Sequence, residues 1–302
     1  MESIAQEMKQ ADIRDVRINE LLSRHTTWKV GGPADLLVYP TDKGELERAM
    51  SVIHKHGLPW RVIGRGSNLL VRDGGIRGVV IKMGNGMDHL QVEGDRVTAG
   101  GGYSFVKLSV MISRQGLTGL EFAGGIPGTV GGAVFMNAGA HGSEVCEVLE
   151  KAEVLLENGE WAVLDNEELQ FSYRTSILQK EKRGVVTEAT FQLKEGNREE
   201  VLATMARYKE QRRQSQPLQD RCAGSVFRNP TGDHSGRLIE AAGLKGYRIG
   251  DAEVSTRHAN FIVNRGNATA NDVLTLIRHI IRTIEQKYGV TLVPEVQVVG
   301  EG

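Results

Sequence analysis

Three short motifs each contain one side chain that could carry out chemistry. Arg174 lies in Phe-Ser-Tyr-Arg-Thr-Ser, Ser225 in Gly-Ser-Val-Phe-Arg-Asn-Pro, and Glu295 in Val-Pro-Glu-Val-Gln-Val-Val. Each has a structural alternative, respectively a salt-bridged arginine, a turn cap and a carboxylate paired with a buried arginine. A carboxylate in an apolar strand needs such a partner or has a raised pKa. Because no Gly-x-Ser-x-Gly motif surrounds Ser225, the sequence disfavours acyl-serine chemistry.

A glycine-rich segment at 124–140 predicts a surface for a flat or diphosphate-bearing ligand. It reads Gly-Gly-Ile-Pro-Gly-Thr-Val-Gly-Gly-Ala-Val-Phe-Met-Asn-Ala-Gly-Ala and contains six glycines. Glycine lets the backbone approach another surface closely or take a positive φ. Main-chain N–H groups can then meet the ligand directly. A tight packing corner between two sheets would favour the same composition.

A second glycine loop, Gly-Arg-Gly-Ser-Asn at 64–68, follows a short apolar strand. It offers consecutive N–H groups, an arginine and a hydroxyl, which suits a diphosphate cradle. Its Gly-x-Gly-x-x-Leu pattern lacks the third small residue of a dinucleotide-binding fingerprint, and Leu-Leu-Val at 69–71 returns to strand composition. Since no P-loop motif occurs either, the sequence disfavours both a Rossmann NAD site and a P-loop.

The overall composition is that of an ordinary globular protein and excludes several function classes. The chain has 302 residues, enough for two domains, and its net charge of −1 argues against a general nucleic-acid binder or membrane-surface protein. The polar N-terminus shows no signal peptide, and no apolar run approaches the roughly 18 residues that span a bilayer. Cys146 and Cys222 have neither metal-ligand spacing nor a disulfide framework. We therefore expect a cytoplasmic protein without a metal site, and a monomer because no coiled coil is visible.

Mixed helices and short strands without regular βα alternation favour an α+β fold. Helices are predicted at 42–57, 103–115, 197–214 and 271–288, with Asp42 as a cap and Glu45 completing a capping box in the first. Strands are predicted at 60–64, 78–83, 89–92, 96–99, 152–157, 160–164, 184–194 and 291–299. The 197–214 helix is locally basic, which indicates either a solvated face or attraction of an anionic substrate.

Seven segments together resemble the UDP-N-acetylenolpyruvoylglucosamine reductase family, FAD enzymes of bacterial peptidoglycan precursor synthesis. They are Thr-Thr-Trp-Lys-Val-Gly-Gly-Pro-Ala at 26–34, Gly-Arg-Gly-Ser-Asn-Leu-Leu at 64–70, Gly-Gly-Ile-Pro-Gly-Thr-Val-Gly-Gly-Ala at 124–133, Tyr-Arg at 173–174, Gly-Ser-Val-Phe-Arg-Asn-Pro at 224–230, His-Ala-Asn-Phe-Ile-Val-Asn at 258–264 and Pro-Glu-Val at 294–296. The glycine-rich segments are shared in looser form with other flavoproteins of the same fold. The Tyr-Arg pair and the last three segments single out this reductase.

The resemblance implies a domain plan and a cofactor. A lead-in at 1–27 would precede a two-lobed FAD-binding domain of the PCMH/vanillyl-alcohol-oxidase type at 28–195 and an α+β substrate-binding domain at 196–302. FAD would be non-covalent, because neither glycine loop holds a Cys or His to which flavin could attach. The residues implied to bind FAD are Gly64, Arg65, Gly66, Ser67, Asn68, Leu69, Gly124, Gly125, Ile126, Pro127, Gly128, Thr129, Gly131, Gly132, Ala133, Asn137, Gly139 and Ala140.

The resemblance also implies a reaction, the NADPH-dependent reduction of the enolpyruvyl ether of UDP-N-acetylglucosamine to UDP-N-acetylmuramate. Arg174 would bind the substrate carboxylate, Ser225 would protonate C2, and Glu295 would orient the site or donate a proton. Further substrate contacts are implied for Tyr173, Arg228, Asn229 and His258.

Some family members carry a tyrosine-bearing loop between the arginine and the serine that folds over the diphosphate. This sequence lacks that loop, so Tyr208 or the basic residues at 212–221 are candidates to replace it. Two other functions stay open from the residues: an oxidase of a small alcohol or hydroxy acid on the same fold, and a non-enzymatic nucleotide-binding module. The presence of Arg174, Ser225 and Glu295 disfavours the second.

Overall fold

Helices and short strands alternate irregularly along the chain. The computed structural model describes all 302 residues. The helices are α1 (Glu2–Gln10), α2 (Lys43–Lys55), α3 (Phe105–Arg114), α4 (Val130–Met136), α5 (Arg198–Ser215), α6 (Ser235–Ala241) and α7 (Ala270–Tyr288). The strands are β1 (Val16–Leu21), β2 (Pro33–Val38), β3 (Trp60–Ile63), β4 (Leu69–Val71), β5 (Ile76–Lys82), β6 (Leu90–Glu93), β7 (Arg96–Gly100), β8 (Leu117–Thr118), β9 (Gly139–Ala140), β10 (Ser143–Glu144), β11 (Leu149–Leu156), β12 (Trp161–Asp165), β13 (Gly184–Gln192), β14 (Lys194–Glu195), β15 (Arg248–Ile249), β16 (Ala252–Val254), β17 (Ile262–Asn264) and β18 (Gln297–Val299).

The N-terminus of α2 is capped in a way that the sequence predicts only in part. Asp42 accepts a hydrogen bond from the Glu45 N–H at 2.7 Å, as expected of an N-cap aspartate. The carboxylate of Glu45 is fully buried and accepts from the N–H and hydroxyl of Thr41 and from the N–H of Arg14. Glu45 therefore does not close a capping box with Asp42 but joins α2 to the preceding segments.

The chain forms two compact units. The first comprises residues 1–18, 36–65 and 79–211, and the second comprises 19–35, 66–78 and 212–302. These units differ from the division at 28 and 196 that the sequence predicts, because the chain passes between them several times. The predicted domain limits stay a prediction.

The first unit is built on a five-stranded antiparallel sheet with the strand order β12-β11-β13-β7-β6. Helices α3 and α4 contribute to the core beside this sheet, with Phe105, Leu108 and Val134 fully buried. A second core in the same unit joins α1 and α2 to the parallel pair β3 and β5. Residues 1–27, expected only as a charged lead-in, thus include a helix whose Ala5 and Met8 are buried.

The second unit combines short strands with the long helix α7. Strands β15, β16 and β17 form an antiparallel sheet, and β4 pairs in parallel with β18. Trp28 is fully buried in this core, and its indole N–H donates to the Ile262 carbonyl at 2.7 Å. The Asn264 amide donates in turn to the Trp28 carbonyl at 3.0 Å. The segment around Trp28 is therefore fixed to the C-terminal part of the chain.

The first turn of α7 is capped from two sides. Thr269 and Asp272 form a capping box, and the carboxylate of Asp73 accepts from the N–H groups of Ala270 at 2.8 Å and Asn271 at 3.0 Å. Asp73 follows β4 after a single residue, so this cap ties the turn after β4 to α7. A negative charge at a helix N-terminus is also favoured by the helix dipole.

We expect Asp73→Ala to lower the free energy of unfolding by about 1–2 kcal/mol, because two helix N–H groups lose their acceptor. Thermal denaturation followed by circular dichroism measures this change. Glu181→Ala removes an exposed carboxylate outside any cap and should leave the transition unchanged. Equal stability of the two variants would contradict the assigned cap.

Candidate active site

Ser225 and Glu295 belong to two neighbouring extended segments of the second unit. The N–H of Glu295 donates to the Val226 carbonyl at 2.7 Å, and the N–H of Arg228 donates to the Val293 carbonyl at 2.9 Å. Phe227 and Pro294 form an antiparallel bridge between these bonds. These bonds pair two segments of the same chain, although Ser225 and Glu295 lie 70 residues apart in sequence. The serine and the glutamate therefore lie on adjacent segments.

Ser225 and Glu295 are both half-buried. Glu295 does not lie within a strand, as the sequence predicts, because β18 begins only at Gln297. Pro294 has no N–H to give to a ladder, so regular pairing cannot run through it. In the Ser225 segment, Gly224 has a φ of 75°, a left-handed conformation that favours glycine at this position.

The second glycine loop is attached to the Glu295 segment. The Asn68 side-chain amide donates to the Glu295 carbonyl at 3.3 Å, and the Asn68 carbonyl accepts from the Gln297 N–H at 3.0 Å. Within the same unit, a Cβ on Gly66 would lie 2.3 Å from the His25 carbonyl oxygen, and the φ of Gly66 is 64°. A side chain at position 66 is therefore excluded by both packing and backbone conformation.

His258 and Asn229 are held by local contacts in the second unit. The ring Nδ1 of His258 accepts from the Asn260 N–H at 3.2 Å, which places the proton of the neutral ring on Nε2. Burial lowers the pKa of His258, and the nearby positive charge of Lys245 lowers it further. The Asn229 side-chain oxygen accepts from the Ser235 N–H at 3.1 Å, at the start of α6. A neutral histidine of this kind can donate a hydrogen bond from Nε2.

Arg174 lies on a tight turn of the first unit. Ser172 and Thr175 exchange backbone hydrogen bonds across this turn, and Arg174 has a left-handed φ of 58°. Its guanidinium donates to the Gly139 carbonyl at 2.8 Å and lies over the Tyr173 ring, 4.8 Å from the ring centroid. A Cβ on Gly139 would come within 3.1 Å of the guanidinium. These contacts restrain a side chain that is otherwise long and flexible.

Asn137 supports this turn through its side-chain amide. It is fully buried and ends α4 in a left-handed conformation. Its amide nitrogen donates to the Ser172 carbonyl at 3.1 Å, and its amide oxygen accepts from the Cys146 N–H at 3.0 Å. Both ends of its amide are engaged by the protein, and a contact of Asn137 with the cofactor stays a prediction.

The start of the second glycine loop and the glycine-rich segment meet within the first unit. A Cβ on Gly64 would lie 2.5 Å from the hydroxyl oxygen of Thr129, and a Cβ on Gly131 would lie 3.1 Å from the Gly101 carbonyl oxygen. Close packing therefore explains the glycines at both positions. This contact brings together two of the segments that the sequence singles out.

The surface beside this contact fits FAD in its chemistry. The Lys82 ammonium donates to the Gly64 carbonyl at 2.9 Å, and Arg65 is exposed, so two cations accompany the loop that would hold a diphosphate. The segment 124–133 has no charged side chain, and Pro127 and Gly132 in it are exposed. A cationic loop beside an uncharged, partly exposed segment suits a diphosphate joined to flat rings. No group of three or more His, Cys, Asp or Glu side chains is placed to hold a metal ion.

Tyr208 on α5 stacks on His141, directly after the glycine-rich segment. Their ring centroids are 4.0 Å apart and the rings are nearly parallel, at 6°. The Arg207 guanidinium lies 5.4 Å from the centroid of the Tyr208 ring. Tyr208, a candidate to replace the missing tyrosine-bearing loop, therefore lies next to a predicted cofactor-binding segment of the first unit.

Comparisons with known proteins agree with both halves of this arrangement. A family model for an FAD binding domain matches residues 34–165, and a model described as the C-terminal domain of UDP-N-acetylenolpyruvoylglucosamine reductase matches residues 216–299. The predicted α+β fold with an FAD-binding domain is confirmed. These matches define the class of protein, an FAD-dependent oxidoreductase.

Whole-chain relatives narrow the class. UDP-N-acetylenolpyruvoylglucosamine reductase from Anoxybacillus flavithermus is 56% identical over 99% of both chains. The crystal structure of the corresponding reductase (MurB) from Thermus caldophilus has a TM-score of 0.82 and 41% identity, covering 94% of this chain and 99% of that one. The chain therefore belongs to the UDP-N-acetylenolpyruvoylglucosamine reductase family.

A more distant solved structure, a glucose oxidase variant of Phl p 4, shares only the fold. It has a TM-score of 0.52 at 15% identity and covers 65% of this chain. No helix of the protein is both long and apolar enough to cross a bilayer.

Sequence reasoning missed several residues that shape the site, among them Asp73 and the contacts of Trp28 and Asn260. Trp28 and Asn260 lie in the motifs at 26–34 and 258–264. The neighbouring residues in sequence do not indicate that the polar groups of these two side chains bond to distant backbone. Asp73 reads as an ordinary turn residue because its partners lie 197 residues away. Only the tertiary fold brings these partners together.

Cys146 is expected to be unreactive at neutral pH. Burial and the hydrogen bond to Glu144 raise the pKa of its thiol to about 11. Because the thiolate is the nucleophile, alkylation by iodoacetamide at pH 7 should be about 100-fold slower than for a free cysteine, and its rate should keep rising about tenfold per pH unit up to about pH 11. The measurement uses the Cys222→Ser protein, in which Cys146 alone reacts.

Glu144→Gln in the same background removes the carboxylate and should raise the alkylation rate at pH 8, while burial keeps the rate below that of a free thiol. If Cys146 of the Cys222→Ser protein reacts at pH 7 as fast as a free cysteine, its pKa is not raised and the prediction is wrong.

Proposed function

We propose that this protein catalyses the NADPH-dependent reduction of UDP-N-acetylglucosamine enolpyruvate to UDP-N-acetylmuramate, in the cytoplasm, for peptidoglycan precursor synthesis. The observation that carries the proposal is the pairing of the Ser225 and Glu295 segments in the second unit. Both segments belong to motifs that distinguish this reductase from other flavoproteins of its fold. The name and full-length similarity of the relatives support the same substrate.

The chemistry that bound FAD supplies is hydride transfer, from NADPH and then to C3, the terminal carbon of the enolpyruvyl double bond. As the C3–H bond forms, the electron pair of the double bond moves towards C2 and the carboxylate. The substrate then carries enolate charge and needs one proton at C2. The protein must therefore supply a cation at the carboxylate and a proton donor at C2.

Arg174 fits the first role. A guanidinium binds a carboxylate through two parallel hydrogen bonds, and its charge opposes the charge that develops there. The contact with the Gly139 carbonyl and the stacking on Tyr173 restrain the guanidinium before substrate arrives. Such preorganisation reduces the entropy lost on binding. Tyr173 would contribute through this stacking as well as through any direct contact.

Ser225 fits the second role by giving its hydroxyl proton to C2. Serine is a very weak acid, but an enolate is a strong base at carbon, so the transfer is reasonable in energy. Glu295 lies on the adjacent segment and would orient the site or, if protonated, donate a proton itself. Asn229, Arg228 and His258 would contact the sugar or the phosphates, with the neutral His258 donating from Nε2.

FAD would be held without a covalent bond, by the 64–69 loop at its diphosphate and by the 124–140 segment along its rings. Lys82 and Arg65 would offset the diphosphate charge in this arrangement. Tyr208, fixed by its stacking on His141, would take the place of the missing tyrosine loop near the substrate diphosphate. Arg212 would add positive charge nearby.

The test of the reaction is the visible spectrum of the purified holoenzyme under anaerobic conditions. NADPH should bleach the flavin band, and UDP-N-acetylglucosamine enolpyruvate should restore it. Ser225→Ala should bleach at the same rate but recover at least 100-fold more slowly, because only the second half-reaction needs its proton. If NADPH bleaches the flavin of the unsubstituted enzyme and the UDP compound does not restore the band, the result supports the cofactor assignment and contradicts the proposed substrate.

The role of Tyr208 is tested by steady-state kinetics. Tyr208→Ala together with Arg212→Ala should raise the KM for the UDP substrate about tenfold or more, while the rate of flavin bleaching by NADPH stays within twofold. The matched control is Lys209→Ala, which removes an exposed cation from the same helix and should change neither value. An unchanged KM in the double variant would argue against closure by Tyr208.

A further inference from the structure

The side chain of Asn260 acts as a hydrogen-bonding partner for the Phe227 peptide groups. Asn260 is only 4% exposed. Its amide oxygen accepts from the Phe227 N–H at 3.0 Å, and its amide nitrogen donates to the Phe227 carbonyl at 2.8 Å. One carboxamide thus satisfies both main-chain groups of Phe227, as a neighbouring β-strand would.

The backbone of Asn260 is engaged at the same place. Its carbonyl accepts from the Val226 N–H at 2.8 Å, and its N–H donates to the ring Nδ1 of His258 at 3.2 Å. Every polar atom of Asn260 therefore bonds either to the residues that follow Ser225 or to His258. Such a fully satisfied buried network favours one local geometry.

The contacts of Val226 extend this network to Glu295. Its N–H donates to the Asn260 carbonyl, and its carbonyl accepts from the Glu295 N–H at 2.7 Å. On the other side of Ser225, Gly224 has a left-handed φ, and no atom lies within 4 Å of the position that its Cβ would occupy. Ala223, two residues before Ser225, is buried in the core, and Asn260 holds the chain on the C-terminal side of Ser225.

We propose that Asn260 is a positioning residue that sets the place of the Ser225 hydroxyl relative to the substrate, an inference that rests on the function proposed above. Asn260 itself bonds to Val226, Phe227 and His258 rather than to the Ser225 hydroxyl or the Glu295 carboxylate. Displacement of a catalytic group by about 1 Å can slow a reaction about 100-fold. The carboxamide is suited to this task because it donates and accepts at once, whereas a carboxylate only accepts.

The experiment compares both half-reactions of Asn260→Asp and unsubstituted holoenzyme by anaerobic stopped-flow absorbance. Aspartate keeps the acceptor for the Phe227 N–H but sets a negative oxygen against the Phe227 carbonyl. We expect flavin bleaching by NADPH to stay within twofold and recovery with UDP-N-acetylglucosamine enolpyruvate to slow more than tenfold. Asn197→Asp, an exposed N-terminal cap of α5 where aspartate caps equally well, should match the unsubstituted enzyme in both.

A double variant separates positioning from a general loss of structure. If Asn260 acts through Ser225, the recovery rate of Ser225→Ala should fall less than twofold further when Asn260→Asp is added. Independent effects would instead multiply. Multiplied effects, or equal slowing of both half-reactions, would overturn the proposal, as would recovery of Asn260→Asp at the unsubstituted rate.

Two further outcomes are defined in advance. If Asn260→Asp does not retain flavin, the comparison is made with Asn260→Gln, which keeps the donor and acceptor but displaces them by one methylene. Loss of flavin from both variants would make Asn260 a purely structural residue and overturn the proposal. Failure of the unsubstituted enzyme to recover its flavin band would overturn the proposed function itself, which is a distinct result.

Discussion

The hydrogen-bonding requirement of one extended segment, residues 224–228, organises the second unit. Val226 and Phe227 are buried there, and buried peptide groups without partners cost about 1–3 kcal/mol each. Their partners come from the 293–296 segment and from Asn260 rather than from a regular sheet. Meeting this requirement brings three sequence-distant motifs to one place, so the same bonds that stabilise the core also assemble the candidate site.

The 26–34 motif and the second glycine loop are fixed to this centre by well-defined contacts. Trp28 gives its indole N–H to Ile262 and accepts from Asn264, which joins the 26–34 motif to the 258–264 motif. Asn68 joins the second glycine loop to the Glu295 segment, and Asp73 joins the turn after β4 to α7. In the first unit, Asn137 and Gly139 hold the turn that carries Arg174. Small polar side chains bonded to backbone thus recur wherever a predicted functional residue is placed.

The sequence predicts the parts of the fold that depend on local signals. Helices α2, α3 and α7 form where apolar periodicity, a cap and a terminating residue agree, and the strands predicted at 152–157 and 160–164 form the antiparallel pair β11 and β12. The strand expected at 291–299 is shortened because Pro294 interrupts it, and α1 is missed because its short apolar face lies in a charged segment. Site residues are predicted by motif, but the bonds from the Asn137 side chain to the backbone of Ser172 and Cys146 join residues 35 and 9 positions away, and a motif does not indicate such contacts.

The anchor of Arg174 has a consequence for how this region can change over time. Its acceptor is the Gly139 main-chain carbonyl, which every amino acid possesses, so substitutions elsewhere in the segment leave the acceptor in place. Position 139 is different, because a Cβ there would lie 2.6 Å from the Ser143 carbonyl oxygen and 3.1 Å from the guanidinium. Genetic drift or selection by an inhibitor can therefore change other side chains of the 124–140 segment without removing this acceptor, but any codon change away from glycine at 139 moves the arginine as well.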